Sequence, residues 1–385
     1  MKSQPSYVLR RLLTFLLVVG ATSSIGFWWR TRDNRGVALK RQGADIAPAS
    51  ILLLTSGSKQ KLFEQLIEAF QTEHPGVTVN LKVMESRDAM QYVLYRASGA
   101  ERPDLYSPSD PRLATSLDNT WRRSHQGRAL IATSSADEDF IFAETPIVFL
   151  TTASKAPELK DIFTSEYPWN QIRARISQGG GMSWGNLHYS VANPMGSASG
   201  LTALGMMAAG SNSANLSLQA FLKEASKGLI YDDAAQRGSS SLYEAYISEL
   251  VSQRNSPRDF IVTYESNVIR TAQEHSELPL RVYYPAQTPF AMHRICLLES
   301  TAGETNRRKA ASAFLKFLKS PEAQAIVMKN YLHPRFVPDT LLGNLRVSPE
   351  LGIKSIGARA PLTSYNASMN ALQLWNEKIA PALIQ

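Results

Sequence analysis

The residues best suited to chemistry are hydroxyls and backbone amides gathered at turns. Ser190–Leu204 reads SVANPMGSASGLTAL. Asn193–Pro194 can end a strand near Val191, and Gly196–Gly200 reads as a small-residue turn that opens a helix. A helix start leaves several N–H groups without intrahelical partners, and here Ser197 and Ser199 add hydroxyls beside them. Such a turn suits a small anion or polar ligand and lacks the parts needed to break a bond. The competing reading is a serine N-cap on an ordinary helix. Three further turns deliver similar groups: Ser56 and Ser58 after ILLLT, Ser107 and Ser109 after PDLYS, and Tyr264, Glu265 and Ser266 after FIVTY. Ser56, Ser58, Ser109, Ser197, Ser199 and Tyr264 are therefore the candidate ligand contacts.

Catalytic readings are poorer. Ser56-Gly57-Ser58-Lys59 matches the S-x-x-K of serine acylases, but the Ser-Asp-Asn and Lys-Thr-Gly companions are missing. Gly196–Gly200 is no nucleophile elbow, because Ala198 holds the central place. The six histidines (74, 125, 188, 275, 293 and 333) are scattered, with no i,i+4 pair for zinc. No Walker or dinucleotide loop occurs. The expectation is a binding protein that is not an enzyme and carries no metal or cofactor.

The elements that must position these turns follow from periodicity. Ile51–Thr55 is a short apolar strand. Lys59–His74 carries Leu62, Phe63, Leu66, Ile67 and Phe70 at helical spacing, and Pro75–Gly76 stops it. Val77–Val83 alternates as a strand, Ser86–Ala97 reads as a helix, and Pro103–Ser107 as a further strand. This β-α-β-α-β order predicts an α/β lobe with a largely parallel sheet. Phe140–Thr152 is a long apolar run broken by Glu144 and Pro146, readable as a strand that crosses between lobes. Helices are expected over 216–225, 240–253, 307–318, 320–331 and 364–384, and strands at Phe260–Tyr264 and Leu280–Tyr284. Open α/β sheets bind ligands beyond the carboxyl ends of their strands. Two of the four polar turns lie early in the chain and two in the middle, which fits two lobes facing one cleft. The aromatic residues Trp121, Trp169, Trp184, Tyr283 and Tyr284 read first as packing residues, with Trp184 the one best placed to reach a ligand.

The 385 residues suffice for two lobes, and 44% hydrophobic content supports real cores. The net charge is +8, but residues 1–49 hold eight basic against two acidic side chains, so 50–385 carries only +2. The folded part has no global basic field, which argues against nucleic acid as a partner. Cys296 is the single cysteine, in the apolar run 295–298, and reads as a buried inert thiol. Arg10–Arg11 precedes an apolar run, Leu12–Trp29, that reads as either a cleaved signal peptide or an uncleaved signal anchor. No cysteine follows it to take a lipid. Thr31–Ser50 reads as a polar linker.

In this order the motifs resemble those of bacterial extracellular solute-binding proteins with the type II periplasmic-binding fold, nearest to the iron(III), molybdate and sulfate branches. ILLLTSGS resembles the opening strand and its serine turn. PDLYSPSD at Pro103–Asp110 resembles a second strand exit, NPMGSASG at Asn193–Gly200 the helix start of the second lobe, and FIVTYESN at Phe260–Asn267 a strand that brings a tyrosine to the cleft. AASAFLKFLKSPEAQAIV at Ala310–Val327 resembles a structural signature of the family. Asn193 stands where the family often has aspartate, only Tyr264 has a natural place among the paired tyrosines of the iron branch, and HPRFVPD replaces the usual exit from the cleft.

The resemblance implies two α/β lobes joined by a hinge, with 50–145 plus 285–385 in the first lobe, 146–284 in the second and an apolar helix before them. It implies an extracytoplasmic or periplasmic monomer that captures a small solute, an oxyanion or other small anion, for the permease of an ABC-type importer. The N-terminal helix would anchor it to the inner membrane if uncleaved. A membrane-anchored sensor or assembly protein that keeps the fold without transport is the alternative.

Overall fold

The computed structural model describes residues 47–384 except 85, 97–100, 109, 178–180, 300–304, 338–357 and 360–364. The apolar segment 12–29, linker residues 31–46 and Ser109 therefore lie outside the described residues, while Ala49 and Ser50, read from the sequence as the end of the linker, already pair in the first strand. No helix among those described is long and apolar enough to cross a membrane.

The chain is α/β, as its periodicity predicts. Strand β1 (Ala49–Thr55) is followed by helix α1 (Gln60–Glu73), β2 (Val77–Val83), helix α2 (Ser86–Gln91), β3 (Leu105–Ser107) and α3 (Pro111–Ser124). β1 pairs in parallel with both β2 and β3. The apolar stripe Leu62, Phe63, Leu66, Ile67 and Phe70 is buried along α1. α3 starts sharply because Asp110 caps it and Pro111 occupies its first position.

The long apolar run becomes one strand, β4 (Asp139–Thr152), and its two halves have different partners. Residues 139–146 pair antiparallel with β9 (Phe290–Leu297), with a bulge between Ile141 and Ala143. Residues 147–152 pair with β6 (Phe260–Tyr264) on one side and β7 (Leu280–Tyr283) on the other, and the two-residue β8 (Gln287–Thr288) lies between β7 and β9 in the chain. Pro146 sits at the changeover, where its missing N–H disturbs neither ladder. β9 in turn pairs with β3, so the hydrogen-bonded order runs β2-β1-β3-β9-β4-β6, ending at β5 (Tyr189–Ser190).

Two apolar cores flank this changeover. The first combines the inner face of α1 with β1, β2, the outer half of β9, α11 (Thr305–Leu318) and α12 (Pro321–Lys329), while α2 and α3 close a smaller cluster behind the same strands. The second is built from residues 147–291 around Phe149, Phe163, Trp169, Tyr189 and Phe260. It collects α4 (Ala156–Phe163), α5 (Pro168–Ser177), α6 (Ala198–Ser213), α7 (Leu218–Ala225), α8 (Asp233–Arg237), α9 (Ser239–Gln253) and α10 (Glu265–Glu274).

One element departs from the expected order. The C-terminal helix α13 (Tyr365–Leu374), with the turn that continues it, belongs to the second core and not to the first: Trp375 is buried there and meets Tyr231 edge-on at 5.6 Å. An amphipathic pattern states that a helix needs an apolar partner but not which one.

Candidate functional site

The turn after β1 is drawn inward at Lys59. This side chain is 2% exposed, and its ammonium donates to Ser107 Oγ at 2.7 Å and to the Pro108 carbonyl. Ser107 in turn donates to the Arg294 carbonyl at 2.6 Å, so β1, β3 and β9 are tied at one point. Burial pulls the Lys59 ammonium down to about 7 from its usual range. Lining the same space from β9, His293 has a buried Nδ1 with no hydrogen-bond partner among the described residues. Burial first, then the Lys59 charge, pushes His293 down to about 3, so its ring stays neutral.

On the other side, α6 begins as the sequence indicates: Ser197 is its N-cap and accepts from the Gly200 amide at 3.3 Å. Its hydroxyl also bonds those of Ser199, at 3.0 Å, and Ser239. Ser239 lies 2.7 Å from Ser199 Oγ and donates to the Tyr264 hydroxyl at 3.4 Å. The Ser199 amide donates to that same tyrosine oxygen at 3.2 Å. Four hydroxyls thus form one closed cluster. Burial raises the Tyr264 phenol above its ordinary value, so it remains protonated at neutral pH.

Between these two constructions lies a cavity of ≈ 160 Å³. Its lining draws on the β1–α1 turn (Ser58, Lys59, Lys61), on β4 (Thr145), on the start of α9 (Ser240), on β6 and α10 (Tyr264, Ser266, Asn267, Arg270), on β9 (His293) and on Asn330 after α12. Among the described residues no carboxylate lines it, whereas three cationic side chains do. Neither Lys61 nor Arg270 makes an ion pair among the described residues. Pockets for drug-sized ligands run to ~300–1,000 Å³, so this one fits a small ion with a little water.

The sequence-selected residues fall into three groups. Ser58 and Tyr264 line the cavity from opposite sides. Ser56 is buried behind Ser58, 3.3 Å away, and Ser197 and Ser199 stand behind Tyr264 with their hydroxyls turned to one another. Ser109 is outside the described residues. Sequence reasoning passed over Thr145, Ser240, Asn267, Arg270, His293 and Asn330, and met Lys59 only as half of an acylase motif. Arg270 follows Tyr264 by six residues on an amphipathic helix, a signal that extending the FIVTYESN motif by one turn would have caught. Trp184 does not line this cavity; it packs on the second core with the Lys155 ammonium 5.9 Å above its ring.

A second cavity of ≈ 260 Å³ lies on the other side of the changeover strands, between Arg112, Met206, Phe290 and Met292. It is more apolar, and its one well-placed cation, Arg112, is already held by Asp110 through two bonds of 2.8 and 2.6 Å.

Comparison with known proteins gives the same fold. A ferric binding protein from Campylobacter jejuni superposes with a TM-score of 0.61 at 15% identity, covering 85% of this chain and 98% of that one. A sulfate-binding protein from Mycobacterium tuberculosis does so at 0.54 and 17%, covering 79% and 96%. A thiosulfate-binding protein from Pseudomonas aeruginosa is 32% identical over 82 residues, 21% of this chain and 25% of that protein. The chain thus matches only about a quarter of that curated relative's length. The model of one family, bacterial extracellular solute-binding protein, matches residues 51–332, most of the folded part. This chain, with its type II periplasmic-binding architecture, belongs to the bacterial extracellular solute-binding protein family.

Proposed function

We propose that the protein is an extracytoplasmic receptor that holds a small oxyanion in the ≈ 160 Å³ cavity and presents it to the permease of an ABC-type importer. The observation that carries this reading is the lining: three cationic side chains, hydroxyls from both cores and, among the described residues, no carboxylate. In a site partly screened from water, each charge-assisted hydrogen bond is worth about 1.5–3 kcal/mol. Moving a hinge from mostly open to mostly closed takes about 5.5 kcal/mol of differential binding, which a few such bonds made from both sides would supply. Residues 50–145 with 285–335 would form one lobe and 146–284 the other, the changeover in β4 and β9 being the hinge. The local likeness to a thiosulfate-binding protein supports a sulfur oxyanion. Bare metal ions are less well served: among the described residues no group of three or more His, Cys, Asp or Glu side chains could hold one.

One feature favours the alternative of an anchored sensor that does not transport. The hydroxyls of Ser197, Ser199, Ser239 and Tyr264 already satisfy one another, so they contribute to a ligand only if the cluster opens.

The reading is tested by thermal denaturation and calorimetry with sulfate, thiosulfate, molybdate and phosphate, against chloride as control. A ligand at a hundred times its Kd stabilises by about 2.7 kcal/mol. At least one oxyanion is expected to raise the melting midpoint by several degrees. If none does at millimolar concentration, the receptor reading fails. Arg270→Gln is expected to weaken binding tenfold or more and to leave the unliganded midpoint within about a degree, since this half-buried side chain makes no ion pair to lose. Ser199→Ala and Tyr264→Phe probe the cluster: each is expected to cost about 1 kcal/mol of stability and to weaken binding. Unchanged affinity in both would remove the cluster from the site.

A further inference from the structure

The site contains a buried ammonium that its own protein leaves incompletely matched. Lys59 has three N–H donors; Ser107 Oγ and the Pro108 carbonyl take two, and the third has no acceptor among the described residues. It makes no ion pair there either, although a buried lysine ordinarily has one. Its surroundings are specific. Asp110, ahead of α3, acts on it from a distance while bound to Arg112. Cys296 and His293 couple to it from β9 through their charged forms, and His293, Lys61, Tyr264 and Arg270 stand around the same cavity. Cys296 is pushed far up by burial and His293 far down, so both stay neutral across the physiological range.

We propose that Lys59 is the charge-reading residue of the oxyanion site, donating a hydrogen bond from its third N–H to the bound anion, so that only the protein with Lys59 protonated binds tightly. This rests on the receptor reading above and adds to it a linkage between capture and pH. Without ligand, burial holds Lys59 near pH 7; a bound anion stabilises the ammonium and raises that midpoint. The sign follows. Below about pH 6 Lys59 is already charged and affinity is flat. Above about pH 7 a proton must be taken up with the anion, and affinity falls nearly tenfold per pH unit. Between pH 6 and 8.5 the loss is about thirtyfold.

Sulfate is the probe, because it does not titrate in this range. Its Kd would be measured by calorimetry at pH 6.0, 7.0, 8.0 and 8.5, each in two buffers of different ionisation enthalpy, which reads proton uptake directly. The expected result is a roughly thirtyfold rise in Kd and an uptake approaching one proton at pH 8. Lys59→Met should bind sulfate ten- to a hundredfold more weakly at pH 6 and with no pH dependence, with its fold checked by its unliganded melting curve. Tight sulfate binding with a flat Kd and no proton uptake in the wild-type protein would overturn the role of Lys59 and leave the oxyanion site standing. Sulfate, thiosulfate, molybdate and phosphate all failing to bind at any of these pH values would overturn both.

Discussion

Gly200→Ala is expected to destabilise the protein by about 3 kcal/mol or more, with the melting midpoint falling by roughly 5–10 °C. The cause is steric. A methyl group on Gly200 would stand 2.0 Å from the Ala192 carbonyl oxygen and 2.8 Å from its carbon, with Asn193 carbon at 3.0 Å. These are backbone atoms, and neither segment is free to retreat. The Asn193 amide is bonded to the Ala235 carbonyl at 2.8 Å, and the Gly200 amide to the Ser197 hydroxyl. The helix start and the strand exit before it are packed main chain to main chain, which only glycine permits. Because the Ser197 cap moves with Gly200, sulfate affinity should fall together with stability. A variant that melts within two degrees of the parent would show that the α6 start yields easily and that this contact is not what fixes it.

Arg258→Met is the second large effect, with an expected loss of about 2–4 kcal/mol in urea denaturation. Arg258 is 1% exposed and reaches three elements at once: Ser190 Oγ on β5 at 3.0 Å, Glu249 on α9 and Asp232 ahead of α8. Asp232 also caps α8, accepting from the Ala235 amide at 3.1 Å, so one guanidinium holds the frame to which Asn193 is bonded. Methionine fills the volume but leaves the Glu249 carboxylate without its cationic partner, with the Ser256 hydroxyl still donating to it, and the Ser190 hydroxyl without a donor. The figure stays below the upper range for buried pairs because the Asp232 side chain is 45% exposed and water takes over its solvation. Arg258→Lys, which keeps the charge and loses the fork, should fall between the two. Equal stability of all three proteins would remove this network as the brace of the second core.

How much of this was legible in the sequence depends on the kind of signal. VTVNLKV and helices such as Gln60–Glu73 carry a period that only one secondary structure satisfies, ILLLT is a short apolar run bounded by a serine turn, and all stand within two residues of where the sequence puts them. The crossing strand was visible because a run of 13 mostly apolar residues holding Pro146 is too long and too broken for a single sheet register. The strand-exit turns pointed to Ser58 and Tyr264, which line the cavity, because open α/β sheets gather ligands beyond their strand ends. The same logic could not tell a hydroxyl that faces the cavity from one that faces its neighbours, so Ser197 and Ser199 were chosen on equal terms with Tyr264. Lys59 was hidden for the opposite reason: lysine at a helix start reads as a solvated end, and only tertiary structure shows it folded under Ser107 and Pro108. Thr145 and Asn330 reach the cavity from segments that no local motif connects.

The changeover within β4 has a mechanical consequence. β4 and β9 form an antiparallel ribbon from Asp139 to Pro146, bulged between Ile141 and Ala143 and braced by β3 along β9 and by His333–Pro334 along β4. A ribbon bends across its face and resists sliding along its length. In the proposed hinge, the lobes on either side would therefore swing and return to the same alignment. Thr145 and His293 ride on the ribbon itself, so a captured guest would rest on a stationary floor while the walls travel around it.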